Sequence, residues 1–472
     1  MDEMKQEEKQ QEVQAENAAG KAGKENTSKK GTGFWKGVMA GMFGSLAAAA
    51  VLAAILSGAF GSVPAGQAPN PENQAEQNGE GGGPGEEEQP GLNRGTVSSK
   101  IDMLQYAIEE YFLFDKDWDK IESGIYKGMV AGLEDPYSEY YTKEEYDQIT
   151  EETEGVYSGI GVLVSQNMLE NSITILRVFP GSPAEEAGMQ KGDLIYKVGD
   201  VMAADVRPDV LVEQHIKGEE GTFVDIVVLR DGEEVPLHVQ RRMVEAQTVE
   251  SKMLEGNTGY ILVTQFELNT AQQFKDAVDS LTAQGMERLV IDLRDNPGGV
   301  VDSCVEMAAY ILPEDKMDGT ILTTADKNGE GIRYYCKDGK LNLETPEGSG
   351  GGQYPKEEGH QVDVPIAVLV NGNSASASEV FAGALQDYGH AVLVGTTTFG
   401  KGIVQSLLPL PDGTAVKLTV SHYYTPGGKD IHGKGLTPDV EVEQVLDEEL
   451  RGKYDIPPEK DNQLQRAIEE LR

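Results

Sequence analysis

Apolar positions divide the chain into segments of different character. Val38 to Ala59 carries no charged side chain, and the stretches on either side are polar and low in complexity. As a helix this run reaches roughly 33 Å, about the hydrocarbon thickness of a bilayer. Further on, Ile101, Leu104, Ile108, Tyr111 and Phe112 recur at helical spacing, as do Ile121, Ile125, Met129 and Leu133, until Asp135-Pro136-Tyr137-Ser138 breaks the pattern. From 155 to 243 the pattern shortens into β-rich runs at 161–165, 172–178, 194–198, 222–229 and 235–240, separated by turns such as Arg230-Asp231-Gly232. Between them a short helix is capped by Ser182 and closed by Gly188, and 207–217 reads as an amphipathic helix. From 244 to 447 strands (258–264, 288–293, 365–370, 392–394) alternate with helices (271–284, 300–312, 376–388), the order of an α/β core around a largely buried sheet. Residues 346–360, rich in Gly and Glu, read as an exposed insertion, and 460–472 as a terminal helix.

The expected organisation is a disordered cytoplasmic segment (1–33), a transmembrane anchor (34–61), a flexible linker (62–97) and a helical module (98–150). A β-rich domain (151–243), an α/β core (244–447) and a C-terminal helical segment (448–472) follow. Lys29, Lys30 and Lys36 precede the apolar run, and no Lys or Arg follows until Arg94. The positive-inside bias therefore places the N-terminus in the cytoplasm and the folded part outside. A cleaved signal peptide is the competing reading, with Ser57 and Ala59 small enough for a cleavage site. The long apolar run and the acid-rich stretch before it favour the anchor.

Composition narrows the function classes. The 472 residues include 80 acidic and 40 basic side chains, a net charge of −40, which disfavours nucleic acid as a partner. The two cysteines, Cys304 and Cys336, exclude a disulfide-built scaffold, and whether they pair is open. No histidine pair has metal-ligand spacing on a helix. No metal and no other cofactor is expected.

Three stretches can carry chemistry. Val370-Asn371-Gly372-Asn373-Ser374-Ala375-Ser376-Ala377-Ser378-Glu379 joins an apolar strand to a helix. A serine at such a turn projects its hydroxyl beside the outward N–H groups of the first helical turn, ready for a developing oxyanion. The alternative is plain capping, since Ser376 and Glu379 fit a capping box. Gly395 to Lys401 spells G-x-x-x-x-G-K, but Gly402 stands where a P-loop needs Ser or Thr, and the following residues alternate like a strand. On such a strand Lys401, Ile403 and Gln405 share one face. A desolvated lysine there becomes a general base, with Gln405 to orient it; a surface lysine is the alternative. Finally, Gly298-Gly299 in Leu293-Arg294-Asp295-Asn296-Pro297-Gly298-Gly299 lets the backbone approach a substrate or simply makes a tight turn.

These stretches, with Gly433-Lys434-Gly435-Leu436-Thr437-Pro438-Asp439 and the Asp135–Ser138 element, occur in the order found in the carboxyl-terminal processing peptidases, or tail-specific proteases, which the chain resembles over about residues 98–470. The resemblance implies a crotonase-like α/β serine peptidase core with an inserted PDZ domain. It implies Ser376 as nucleophile, Lys401 as general base and Gln405 as its orienting partner. Ala377 with Gly298 or Gly299 would form the oxyanion hole. The β-rich domain resembles a permuted PDZ domain in which Ser158, Gly159, Ile160 and Gly161 bind a peptide carboxylate. The expected partners are proteins or peptides with exposed C-termini, the membrane, and, by the same resemblance, a second copy in a homodimer. Asn373 and Val380 stand where the family more often has Gly and Ile. A non-catalytic, membrane-anchored PDZ scaffold is the alternative function.

Overall fold

The computed structural model describes residues 91–167, 171–313, 315–337, 340–346, 354–355, 362–447, 450 and 456–472. The expected cytoplasmic segment, the 34–61 anchor and most of the linker and of the 346–360 insertion lie outside the described residues. Among the described residues, no helix is long and apolar enough to cross a membrane.

The core is built on a six-stranded sheet in the order Val249–Leu254, Thr258–Val263, Arg288–Asp292, Ile366–Val370, Ala391–Gly395, Val440–Glu441. The first pair is antiparallel and the rest are parallel. Because side chains alternate across a strand, each strand must find two apolar coverings. Leu289, Ile291, Val368 and Leu393 point into one layer with the helices Thr270–Ala283, Val301–Ile311 and Ala377–Asp387. Val290, Ala367, Leu369 and Val394 point the other way, onto Leu464, Ala467 and Leu471 at the C-terminal helix Asn462–Glu470. That helix is tied down by Arg294, which meets Asp292 at 2.5 Å and Asp461 at 2.7 Å.

A second sheet, antiparallel throughout, centres on the long strand Ala415–Tyr424, which pairs with Thr320–Asp326, Ile403–Pro409 and Glu139–Tyr141. Arg333–Lys337, Lys340–Glu344 and Tyr354–Pro355 extend it. The last of these carries part of the expected insertion into the sheet edge.

The region expected as a purely helical module is mixed. Helices Arg94–Tyr111, Trp118–Ala131 and Lys143–Glu154 form, but Glu139–Tyr141 is a strand of the second sheet, with Tyr140 opposite Val416. Three residues between helices are too short to show a period of two, so pairing with a distant strand decided the outcome. This strand fixes the Asp135–Ser138 turn against the core.

The β-rich region forms its own sheet, in the order Val162–Asn167, Ser172–Val178, Leu194–Val198, Phe223–Arg230, Glu233–Gln240, around a separate apolar core that includes Ile173, Ile226 and Val239. The strands Val156–Gly159 and Arg242–Glu245 pair where the chain enters and leaves this module. Arg177 joins the module to the core through Glu250 at 2.7 Å and the Gln247 carbonyl.

Candidate active site

Ser376 opens the Ala377–Asp387 helix with φ +55° and ψ −117°, a backbone that side-chain-bearing residues rarely adopt. Holding it costs about 1–3 kcal/mol, which surrounding contacts must supply. They come from the two neighbouring serines. Ser374 donates to the Leu293 carbonyl at 2.8 Å, and Ser378 donates to the Asn296 carbonyl at 3.0 Å. Both hydroxyls are thereby buried in the Leu293–Gly299 loop, and Ser376 is the serine of the three that lines the pocket. Tyr423 donates to the Ser376 carbonyl at 3.1 Å and adds to the clamp.

The same loop shapes the opposite wall. Asn296, fully buried, donates to the Val263 carbonyl and accepts the Gly298 N–H at 2.9 Å. With that N–H committed, Gly299, which lines the pocket, is the better placed of the two glycines for an incoming oxygen. Neither position tolerates a side chain. A Cβ on Gly298 would fall 2.6 Å from the Ala375 carbonyl oxygen, and one on Gly299 1.9 Å from that of Phe266. Ala377 is the first helical residue after Ser376, so its N–H belongs to the orphan donors of the first turn.

Lys401 lines the pocket as well and is 3% exposed. Burial, with the Lys417 ammonium adding like charge, pulls its pKa down to about 8, while Asp135 and Glu379 oppose the shift. The ring of Tyr137 lies 4.7 Å from Lys401 Nζ. Lys401 is not on a strand, as its alternation with Ile403 and Gln405 suggested: the strand begins at Ile403, and its pairing slips between Val404 and Gln405. The reason lies in Glu379. Its carboxylate accepts from the backbone N–H groups of Ser376 at 3.0 Å, Gly400 at 2.8 Å and Lys401 at 2.8 Å, and from the Thr398 hydroxyl at 2.5 Å. One side chain thus holds the turn bearing Ser376 and the loop bearing Lys401 in fixed relation. Burial pushes the Glu379 carboxyl up, against those four hydrogen bonds. The capping-box spacing flagged Glu379 as a helix-end residue; only the folded chain brings the 398–401 loop to it. The Gly433–Asp439 stretch closes over this loop, with Leu436 N–H donating to Thr398 Oγ1 at 2.7 Å.

Gln405 also lines the pocket and donates through Nε2 to Thr419 Oγ1 at 3.3 Å. Cys304 and Cys336 remain buried thiols, and Cys304 donates to the Ala377 carbonyl at 3.1 Å. Among the described residues no cluster of metal-ligating side chains occurs.

Ser158 to Gly161 lie elsewhere: Ser158 and Gly159 end the strand Val156–Gly159, and Ile160 and Gly161 lead from it into the separate β-rich sheet. The Ile160 and Gly161 carbonyls accept from Ala184 and Phe179 N–H at 2.9 and 3.0 Å, and a Cβ on Gly161 would meet Ser182 Cβ at 2.4 Å. This close approach requires glycine. Ser158 does not turn its hydroxyl outward: Oγ is buried, with no hydrogen-bond partner among the described residues. The strand that follows, Val162–Asn167, is the edge of its sheet. Leu211 and Ile216 of the Pro208–Ile216 helical segment share an apolar cluster with Val162 and Val164 of that strand.

The chain thus joins an α/β core with a strained serine turn to a small sheet with an open edge strand, and both parts have counterparts among known proteins. Residues 257–442 match peptidase family S41, and residues 158–240 match the PDZ domain. The chain is 35% identical over 355 residues to a probable CtpA-like serine protease of Staphylococcus aureus (strain COL), covering 75% of this chain and 66% of that one. It is 33% identical over 354 residues to the like-named protein of Staphylococcus epidermidis (strain ATCC 35984), covering 75% and 67%. The solved photosystem II D1 C-terminal processing protease is 26% identical, covering 72% of this chain and 86% of that one with a TM-score of 0.40. The chain belongs to peptidase family S41 and spans about two thirds of the length of the curated relatives it matches.

Proposed function

We propose that this protein is a membrane-anchored, extracytoplasmic serine endopeptidase that captures protein C-terminal tails and cleaves upstream of them with a Ser376/Lys401 dyad. The observation that carries the reading is a strained serine and a buried, pKa-lowered lysine on the walls of one pocket. Neutral Lys401 takes the Ser376 hydroxyl proton as Oγ attacks the peptide carbonyl. The Ala377 and Gly299 N–H groups receive the oxyanion, and Lys401 returns the proton to the leaving amine. Water, deprotonated by the same lysine, then hydrolyses the acyl-enzyme. Gly298 acts through the shape of the loop.

The tail adds as a strand to the Val162–Asn167 edge, beside the Pro208–Ile216 segment, with its carboxylate at the Ser158–Gly161 loop. Here the backbone of Gly159, Ile160 and Gly161, and not the inward Ser158 hydroxyl, is the anion-binding part. The uncharged 38–59 run tethers the enzyme with its N-terminus in the cytoplasm. Met103, Leu104 and Tyr106, exposed on Arg94–Tyr111, support a homodimer through this helix, which sedimentation of the full chain tests.

The decisive assay compares cleavage of a quenched-fluorescent peptide with an apolar free C-terminus and of its C-terminally amidated form. The full-length chain cleaves the first faster. Ser376→Ala loses at least about 10⁴-fold in kcat, and Lys401→Ala about 10²–10⁴-fold. Wild-type turnover in either variant would end the proposal.

A further inference from the structure

Lys401 is covered by a part of the chain far from the peptidase core in sequence. We propose that the Asp135–Ser138 turn is a positioning element of the catalytic base: Asp135 orients Gln405 through Thr419, and Tyr137 shields the Lys401 amine. The inference rests on the dyad reading above and extends it to residues that precede the PDZ module.

The geometry has a direction. Thr419 Oγ1 donates to Asp135 Oδ2 at 2.6 Å, and a hydroxyl has one proton to give. Toward Gln405, at 3.3 Å, it can therefore only accept, which requires the amide nitrogen Nε2 on that side. Oε1 is left as the Gln405 atom available to the pocket it shares with Lys401, and an ammonium or amine N–H needs an acceptor there. Asp135 is itself fixed as a carboxylate. Burial raises its pKa, but the Ser138 and Thr419 hydroxyls, the Tyr137 N–H and the Lys401 charge outweigh burial and hold it below the ordinary value. Ser138 Oγ also accepts the Thr419 N–H at 3.1 Å, so the turn grips the strand by its backbone as well. The adjoining strand pairing, Glu139 with Lys417 and Tyr141 with Ala415, sets the register that puts Asp135 opposite Thr419. Tyr137, half-buried, closes the site with its ring 4.7 Å from Lys401 Nζ. The charged and titratable groups facing Lys401 are Asp135 and Tyr137 on this turn, Glu379 on the catalytic helix, and Lys417 on the long strand with Glu139 beside it at 3.9 Å. Tyr423 lines the same pocket.

The test is the pH dependence of kcat for the quenched peptide with the full-length chain. Thr419→Val keeps the charge of Asp135 but cuts the relay. It lowers the plateau kcat about 10–10²-fold with KM and thermal midpoint little changed, and Thr419→Ser recovers most of the loss. Asp135→Asn loses a similar plateau factor and also moves the acid limb to lower pH, because it removes a negative charge that favours protonated Lys401. Tyr137→Ala lets water reach the amine and moves the limb to higher pH. Wild-type plateau and limb in both Thr419→Val and Asp135→Asn overturn the proposal, as does a loss confined to KM or to thermal stability. Should Asp135→Asn fail to fold, the Thr419→Val and Thr419→Ser pair decides. Wild-type turnover in Ser376→Ala or Lys401→Ala would instead sink the dyad reading.

Discussion

Two helices of this chain begin from the same kind of sequence signal and end in different surroundings. Arg94–Tyr111 is N-capped by Asn93, which accepts the Thr96 N–H at 3.1 Å, and carries an apolar residue every third or fourth position. Ala377–Asp387 also shows apolar periodicity and an acidic residue in its first turn. The first buries no residue, with Leu104 55% and Tyr111 79% exposed. The second is buried from Ala377 to Leu385, between the sheet and the Val301–Ile311 helix. Caps and periodicity are local and suffice to make a helix. Burial needs a complementary surface, which the sheet and its neighbouring helix supply to Ala377–Asp387 and no described element supplies to Arg94–Tyr111.

The largest effect expected from this contrast is at Gly299, where the core has no slack. Gly299→Ala drives a Cβ into the Phe266 carbonyl at a φ of +143°, and it should cost about 4 kcal/mol or more, read as loss of the core's thermal transition. Leu385→Ala removes a fully buried side chain from the Ala377–Asp387 helix and should cost about 2–5 kcal/mol in denaturant unfolding. A value under about 1 kcal/mol would break the comparison. Burial also acts on charge. On the proposed dyad, in which Lys401 works as the neutral amine, kcat should fall about tenfold per pH unit below its pKa of about 8 and level off above it. Lys417→Met removes the neighbouring like charge, so that the limb moves to higher pH. The smallest effect lies on the exposed helix: Leu104→Ala should change the stability of a single copy by no more than about 0.5 kcal/mol. A larger loss at high protein concentration than at low would show that a second copy covers this face.

The legible part of the fold was the part with one clear period. Ser172–Val178 and Leu194–Val198 stand where their apolar runs lie, and the core strands and helices begin and end within a residue or so of their patterns. The antiparallel strands from Thr320 to Glu344 were not visible, because they mix Thr, Tyr, Arg and Asn on a half-buried sheet and owe their state to pairing. In the site, the motifs marked Ser376, Lys401, Gln405 and the glycine pair. They could not reveal that Asn296 occupies the Gly298 N–H, that Ser158 turns its hydroxyl inward, or that a bulge at Val404 and Gln405 removes the simple alternation.

The sequence by itself determined the kinds of residue available: a serine at a strand-to-helix turn, a lysine between glycines, and apolar faces sufficient for two cores. It did so because caps, turns and hydrophobic periods act over a few residues. Tertiary structure decided which serine was left for the pocket, how far the lysine's charge was suppressed, and that a turn before the β-rich domain would sit over that lysine. Those outcomes depend on dehydration and on hydrogen bonds between residues more than 80 or even 280 positions apart, as with Ser378 to Asn296 and Thr419 to Asp135, and such contacts exist only once the chain has closed on itself.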